Sequence, residues 1–379
     1  MLSNYELYLV DTSGNRIAGP LTEALYLEWA IALSNVGTCY LEINAADWND
    51  AWLNDRLLLQ VWRQPRFQAA PTLVQAYWLM DYGKRLEAGD VAVTWLRGYD
   101  LNTMLNWRIV TGAAGSTEAQ KTGDACVVML EYVQEAMLDT YTTAGRALDT
   151  AMTFNVAGGT GGPSISYTAS RGKLLSVLQG CAGAAITRGT AVRFWMRAIE
   201  TGGELQIVTA PLGSDRRAQT PFSPEMGTLY APAWEYRGGG AATYGYAGGS
   251  GQEENRLIVE VDLSDGTVIG RRETWAENAQ IKTAAPLYDW ARARLCEQRA
   301  RLWFGGELRD SELSAFGRDW NLGDLVTCEF DGKSFEAEVL AVTGVASTSG
   351  EVVSARVENE ILVDYPEAAD DPEAADDGN

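Results

Sequence analysis

A hairpin signal near residue 330 constrains the fold of this chain more than any other feature. Apolar residues alternate with polar ones before it, at 326–330, and again after it, at 335–339. Between these runs, Asp331-Gly332 supplies two residues that tolerate positive φ angles, as a type I′ turn requires. Because successive side chains of a strand point to opposite faces, the pattern predicts two antiparallel strands with one buried face.

Similar β-type patterns occur near both ends of the chain. Residues 1–98 are predicted to form a small antiparallel barrel, from short apolar or alternating runs at Tyr5–Val10, 25–31, 39–43, 56–63, 74–80 and 91–97. A second β-barrel is predicted at 226–363, and it contains the hairpin and a helix at 285–303. These two domains account for most of the chain.

The middle of the chain, residues 99–225, has helical spacing instead. Asp100 is placed to cap a short helix, and longer apolar repeats begin near Thr122 and after Ser170. Strands predicted at 192–199 and 205–210 complete an α+β unit. The predicted fold class is therefore α+β and β-rich, with two small β-barrel domains that flank an α+β insert domain.

The net charge excludes one class of partner. The chain has 51 acidic and 30 basic residues, a formal net charge of −21 and a pI near 4.4. Such a surface repels phosphate backbones, so specific nucleic-acid binding is not expected. Part of the charge lies at 364–379, where Pro-Glu-Ala-Ala-Asp-Asp occurs twice. This acidic segment has no apolar surface to bury and is predicted to be disordered.

Histidine is absent, which removes the usual catalytic triads and imidazole metal sites. The five cysteines are scattered without a C-x-x-C pair, so neither a zinc site nor a disulfide framework is expected. No run approaches the roughly 18 apolar residues that span a bilayer, and the N-terminal residues lack signal-peptide regions. We therefore expect synthesis in the cytoplasm, no membrane span, no metal site and no cofactor.

Several segments are weak candidates for chemistry. The glycine-rich residues 157–162 lack the Lys-Ser/Thr ending of a phosphate loop, so a flexible loop is favoured. Ser170 with Lys173 is more typical of a helix start than of a serine–lysine catalytic pair. Carboxylate pairs such as Glu253-Glu254 could support glycoside hydrolysis. Tryptophan side chains could stack against sugars, as in a carbohydrate-binding module; the candidates are Trp48, Trp52, Trp62 and Trp78. No catalytic residue is assigned, and a hydrolase or a carbohydrate-binding module remains the alternative.

Residues 237–251 consist almost entirely of glycine, alanine and tyrosine. With little to pack, this segment is predicted to be a mobile loop in the isolated chain. Such a loop can order against a partner, which makes it the candidate interface. The residues that we select from it are Arg237, Gly239, Tyr244, Tyr246, Gly248 and Gly249.

The sequence resembles the tail-tip hub family of siphophages. Residues 317–327 read GRDWNLGDLVT, which resembles the phrase that opens the last barrel of that family. Residues 5–14, 96–109 and 271–273 resemble further family phrases in the same order. The resemblance covers residues 1–363, and it extends to the baseplate hub of contractile phages and the N-terminal half of VgrG spikes.

This resemblance implies a structural role without catalysis. Family hubs are trimers in which each protomer offers two related barrels, so that six barrels match a threefold tip to a sixfold tail tube. The expected role is a homotrimeric hub at the virion tail tip that forms part of the DNA exit channel. The implied partners are the distal tail or tail tube protein, the tape measure protein, and a spike or fibre protein.

Overall fold

The computed structural model describes residues 2, 4–52, 57–87, 91–111, 119–138, 146–147, 152–169, 171–264, 266–279 and 281–362. The predicted acidic segment 364–379 and Ser170 lie outside these residues. The chain divides into two compact units. The first comprises Met1–Ile186, Thr190–Pro232 and Gly305–Glu358, and the second comprises Thr187–Gly189, Ala233–Phe304 and Asn359–Asn379.

Most strands of the described residues belong to one large sheet. Its strands are β1 (Tyr5–Val10), β2 (Arg16–Ala18), β3 (Ala24–Ala32), β4 (Thr38–Asn44), β5 (Leu58–Arg63), β6 (Thr72–Leu86), β7 (Ala92–Asp100), β13 (Leu229–Arg237), β17 (Arg301–Arg309), β18 (Leu325–Phe330), β19 (Lys333–Ser347) and β20 (Gly350–Leu362). Their order is β13-β17-β20-β19-β3-β4-β7-β6-β5-β1-β2, and β18 pairs with β19. The β-rich fold class predicted from sequence is confirmed.

The predicted hairpin is confirmed as β18 and β19. Phe330 pairs with Lys333, so the connection consists of two residues. Asp331 and Gly332 have φ angles of +56° and +69°, which are the values of a type I′ turn. Val326, Cys328, Phe335 and Ala337 are buried, as the alternation predicts.

The large sheet joins sequence-distant segments. Strand β19 pairs with β3 as well as with β20, and Gly344 lies directly opposite Trp29. Trp29 is fully buried, and its indole Nε1 donates a hydrogen bond of 2.9 Å to the Tyr5 hydroxyl. Strands β3 and β19, about 300 residues apart in the sequence, are therefore neighbours in the fold.

Helices and smaller sheets complete the first unit. They are β8 (Ala119–Asp124), α1 (Ala125–Met137), β9 (Thr153–Gly158), β10 (Ser164–Ala169), α2 (Leu174–Ile186), β11 (Val192–Ile199) and β12 (Gly202–Thr209), after a 3-10 helix at Leu101–Trp107. Asp100 caps the 3-10 helix as predicted. Helix α1 begins three residues after the predicted start, because Thr122 pairs within β8 and Asp124 is the N-cap.

Buried polar side chains attach β11 to the large sheet and to the 3-10 helix. The Gln75 amide donates to the Met196 carbonyl and accepts from the Ala198 amide, both at 2.9 Å. Asn102 accepts from the Met196 amide at 2.8 Å. Both side chains are fully buried, so these bonds satisfy main-chain groups that water does not reach.

The second unit contains a small sheet covered on one face by a helix. Strand β14 (Tyr244–Gly248) is central, between antiparallel β15 (Ile258–Asp262) and parallel β16 (Glu273–Glu277). Helix α3 (Ala284–Glu297) contributes Leu287, Ala291 and Leu295 to their core. The helix predicted at 285–303 is too long at its C-terminal end. Helix α3 ends at Glu297, and Arg301–Arg309 forms strand β17.

Candidate functional site

The predicted interface residues lie in β14 and beside it. Tyr244–Gly248 is a paired strand, so the prediction of a mobile loop over 237–251 is wrong for this part. Gly245 faces α3, and a Cβ added there would make an ordinary van der Waals contact of 3.6 Å with Leu295 Cδ2. Arg237 and Gly239 are exposed. Interface function for these residues stays a prediction.

The register of the small sheet gathers aromatic residues on the face opposite α3. Alternate residues of β16 are exposed, and Val261 and Ala247 point into the core on the other side. The cross-strand rows of the outer face are Asp262–Tyr244–Glu273, Glu260–Tyr246–Trp275 and Ile258–Gly248–Glu277. We call these residues, with Arg256 and Arg271, the aromatic face.

Two arginines lie on the rings of the aromatic face. The Arg271 guanidinium is 3.5 Å from the Tyr244 ring centroid and donates to the Tyr246 hydroxyl at 2.7 Å. The Arg256 guanidinium is 5.4 Å from the Trp275 ring centroid. These cation–π contacts orient the rings. Because the Arg271 guanidinium already covers a face of the Tyr244 ring, a sugar would have to displace it before it could stack there.

The aromatic face combines apolar exposure with negative charge. Trp275 and Ile258 are 48% and 51% exposed. Its four carboxylates outnumber its two guanidinium groups, and the hydrogen bond to Glu260 raises the pKa of the Tyr244 phenol. Aromatic and arginine side chains within a polar rim are typical of protein–protein contact sites. The arrangement therefore favours a protein partner with a basic surface.

Tyr244 and Tyr246 were predicted as interface residues from the sequence, whereas Trp275 and Ile258 were not. The alternation at 273–277 indicated one exposed face of a strand. Only the pairing with β14 places that face beside the tyrosines. Arg256 and Arg271 carried no signal that predicted their stacking on the rings.

The other sequence candidates do not form a site together. Glu253 and Glu254 are exposed in a short 3-10 helix. The Gly161 amide donates to Asp124 at 2.7 Å, so a carboxylate occupies the position that a phosphate would need. Trp48 and Trp78 are buried, so their rings are not accessible for stacking against a sugar.

The structure gives two further observations about this chain. Among the described residues, no group of three or more cysteine and acidic side chains is placed to hold a metal ion. None of the helices in that part of the chain is long and apolar enough to cross a lipid bilayer.

Comparison with solved structures gives the same fold for phage tail proteins. The 43 kDa tail protein of prophage MuSo2 from Shewanella oneidensis is 12% identical, covers 93% of this chain and 98% of its own, and has a TM-score of 0.55. The tail protein from Neisseria meningitidis MC58 is 11% identical over 94% and 97%, with a TM-score of 0.52. A chain of the lidded Francisella PdpA–VgrG complex is 8% identical over 96% and 54%, with a TM-score of 0.50.

Comparison at the sequence level identifies the family. Curated proteins gave no match. The model of the family described as Siphovirus ReqiPepy6 Gp37-like protein matches residues 6–357. The predicted resemblance to a siphophage protein family is thereby confirmed. The chain belongs to the Siphovirus ReqiPepy6 Gp37-like family and has the fold of a phage tail protein.

Proposed function

We propose that this protein is the hub of a siphophage tail tip and that it assembles as a homotrimer. The proposal rests on how much of the chain is matched by the family model and by the fold of phage tail proteins. The family model spans residues 6–357, and the tail-protein fold covers 93% or more of the chain. A structural role in the tail therefore accounts for nearly all of the described residues.

In this proposal the hub adapts a sixfold tail tube to a threefold spike or fibre. Three copies would present six β modules, for which we propose residues 1–98 and 226–363. The tail tube or distal tail protein and the tape measure protein would lie on one side, and the spike or fibre on the other. The aromatic face and Arg237 and Gly239 are proposed as contacts to one of these proteins.

The hub would also surround part of the path by which DNA leaves the virion. A net charge of −21 supports this role, because an acidic wall repels phosphates and does not retain the DNA. A channel lined by clustered arginine and lysine side chains in the assembled ring would contradict it. This can be read directly from a reconstruction of the tail tip.

We further propose that the hub has no catalytic activity. Glu253 and Glu254 are exposed in a short helix and lack the apolar pocket that surrounds the catalytic acid of a glycoside hydrolase. Zymography on host cell wall tests the alternative of a hydrolase, and a glycan array tests a carbohydrate-binding module. Clearing of the cell wall by the purified chain would refute the proposal.

Electron microscopy and complementation test the location and the contact. Gold-labelled antibody against this chain should mark the far end of the tail, and purified protein should contain trimers by mass photometry. In a phage that lacks its own copy, Trp275→Ser together with Ile258→Ser should fold but fail to enter virions. Tyr82→Ser is the control, because Tyr82 is 59% exposed on β6. Equal incorporation of both variants would exclude the aromatic face as a contact.

A further inference from the structure

Strand β16 is one edge of the small sheet in the second unit. In the described part of the chain the strand order is β15-β14-β16, so β16 pairs with β14 on one side only. The Tyr244 amide donates to the Arg272 carbonyl, and the Asn278 amide donates to the Gly248 carbonyl. In a parallel ladder, alternate residues of a strand bond to a given neighbour. The even-numbered residues between 272 and 278 therefore bond to β14.

The odd-numbered residues of β16 direct their main-chain groups away from β14. They are Glu273, Trp275 and Glu277, and their side chains are exposed. Within the described residues, no backbone group of another segment bonds to their amides or carbonyls from the open side. An exposed edge of this kind can pair with a strand from another chain, through hydrogen bonds between main-chain groups.

The side chains of this edge alternate between acidic and aromatic. Glu273 and Glu277 lie on either side of Trp275 on the aromatic face. The glutamates are paired with Arg271 at 2.7 Å and with Arg256 at 3.0 Å, and both ion pairs are exposed. Exposed ion pairs contribute little to stability, so a partner can replace them. A strand with Lys or Arg opposite each glutamate and an apolar residue opposite Trp275 would be complementary.

The same pattern disfavours pairing between two copies of this edge. If two β16 strands paired antiparallel about Trp275, Glu273 of one copy would lie opposite Glu277 of the other. Like charges in directly opposite positions are destabilising. The formal net charge of −21 adds repulsion between copies. The edge therefore favours a basic segment of a different protein.

The chain that leads into β16 adds apolar surface. Val268 and Ile269 are 93% and 92% exposed, more than any other large apolar side chain of the described residues. The Thr267 hydroxyl accepts from the Gly270 amide at 3.0 Å, which braces the turn that carries them. Exposed apolar groups with a polar rim are typical of contact sites. A partner segment is therefore expected to carry apolar as well as basic side chains.

We propose that an extended segment of another tail protein adds to the open edge of β16 as a further strand, with basic and apolar side chains in alternation. The inference rests on the proposed contact through the aromatic face and specifies the form of that contact. Hydrogen bonds to the main chain of Glu273, Trp275 and Glu277 hold the segment, and the alternating side chains make it selective.

Hydrogen exchange, resolved to single residues by mass spectrometry, compares the free protein with assembled tails. The amides of Glu273, Trp275 and Glu277 should exchange roughly 100-fold more slowly in tails, because they acquire acceptors only there. The amides of Thr274 and Ala276 bond to β14 in both states and are the internal reference. Equal exchange of the odd-numbered amides in the two states would overturn the inference.

Hydroxyl-radical labelling of Trp275 in the same samples separates this inference from the proposed contact. If labelling falls in tails while the exchange of the odd-numbered amides is unchanged, the aromatic face contacts its partner without strand addition. In that case the inference fails and the contact stands. Labelling and exchange that are both unchanged would reject both.

Proline at position 277 gives a second test with a matched control. Glu277→Pro removes an amide that points to the open edge, so the bonds to β14 remain. Glu277→Ala removes the same side chain and its pair with Arg256 but keeps the amide. In a phage that lacks its own copy, the proline variant should enter virions roughly tenfold less than the alanine variant, with equal thermal melts. Equal incorporation of the two would overturn strand addition.

Charge reversal tests the basic character of the segment. Glu273→Lys with Glu277→Lys should lower incorporation roughly tenfold, because like charges would then lie opposite each other. Glu329→Lys with Glu336→Lys is the matched control, since both glutamates are exposed on the β18–β19 hairpin. Incorporation equal to that of the control would reject a basic partner segment.

Discussion

Replacing Gly344 with alanine should destabilise the protein through its contact with Trp29. A Cβ built on Gly344 would lie 2.2 Å from Trp29 Cε2 and 2.3 Å from its Nε1. Carbon atoms in contact are separated by about 3.5–4.0 Å, so the indole or the strand must shift by more than about 1 Å. Trp29 is completely buried and donates to the Tyr5 hydroxyl, which leaves it little freedom.

The expected loss follows from three contributions. Overpacking of a filled core costs about 1–3 kcal/mol, and a weakened Trp29–Tyr5 hydrogen bond adds about 1 kcal/mol. Alanine also lowers the conformational entropy of the unfolded chain, which offsets about 0.4–1 kcal/mol of this loss. The net decrease in the free energy of unfolding should therefore be about 1–4 kcal/mol.

Urea denaturation, followed by tryptophan fluorescence and far-ultraviolet circular dichroism, measures this change. The matched control is Gly183→Ala on the exposed side of α2, where an added Cβ meets no neighbouring side chain within 4 Å. That variant should gain about 0.5–1 kcal/mol, because glycine disfavours a helix interior. If Gly344→Ala is as stable as the parent chain, Trp29 does not face β19 and the register between β3 and β19 is wrong.

Three further substitutions probe other parts of the fold. Gln75→Leu should lower the free energy of unfolding by about 2–4 kcal/mol in the same assay, since it leaves main-chain groups of β11 unsatisfied; a loss under about 0.5 kcal/mol would argue against those bonds. Burial raises the pKa of the Glu351 carboxyl, but the hydrogen bonds that it accepts from Arg63 and Tyr5 lower this pKa by more than burial raises it. The pKa of Glu351 therefore lies below its usual range. Glu351 therefore stabilises the fold above the unfolded pKa of about 4.3 and loses this contribution as pH falls through the folded pKa. Glu351→Gln should accordingly lose less stability between neutral and acidic pH than the parent chain, and an unchanged pH profile in thermal melts would contradict this. Gly332→Ala should cost about 1–2 kcal/mol, because its φ of +69° is strained for alanine, and circular dichroism melts that show no loss would exclude the type I′ turn.

Local signals allowed part of the fold to be predicted. The alternation around Asp331-Gly332 specified both strands and their turn, because turn type and strand pairing depend on neighbouring residues. The cap at Asp100 is local in the same sense. The end of α3 was not predictable this way, since apolar residues continue past Glu297 into β17 at a spacing that suits either element.

For the candidate site, too, some features were predictable from the sequence and others were visible only in the tertiary structure. From residue types alone, the chain is determined to be β-rich, acidic and without imidazole chemistry, and Tyr244 and Tyr246 are marked as unusual. Only the tertiary structure decided that these tyrosines share a face with Trp275, and that β3 pairs with β19. The physical reason is that side-chain periodicity specifies which residues of one strand share a face, whereas the choice of neighbouring strand depends on packing between distant segments.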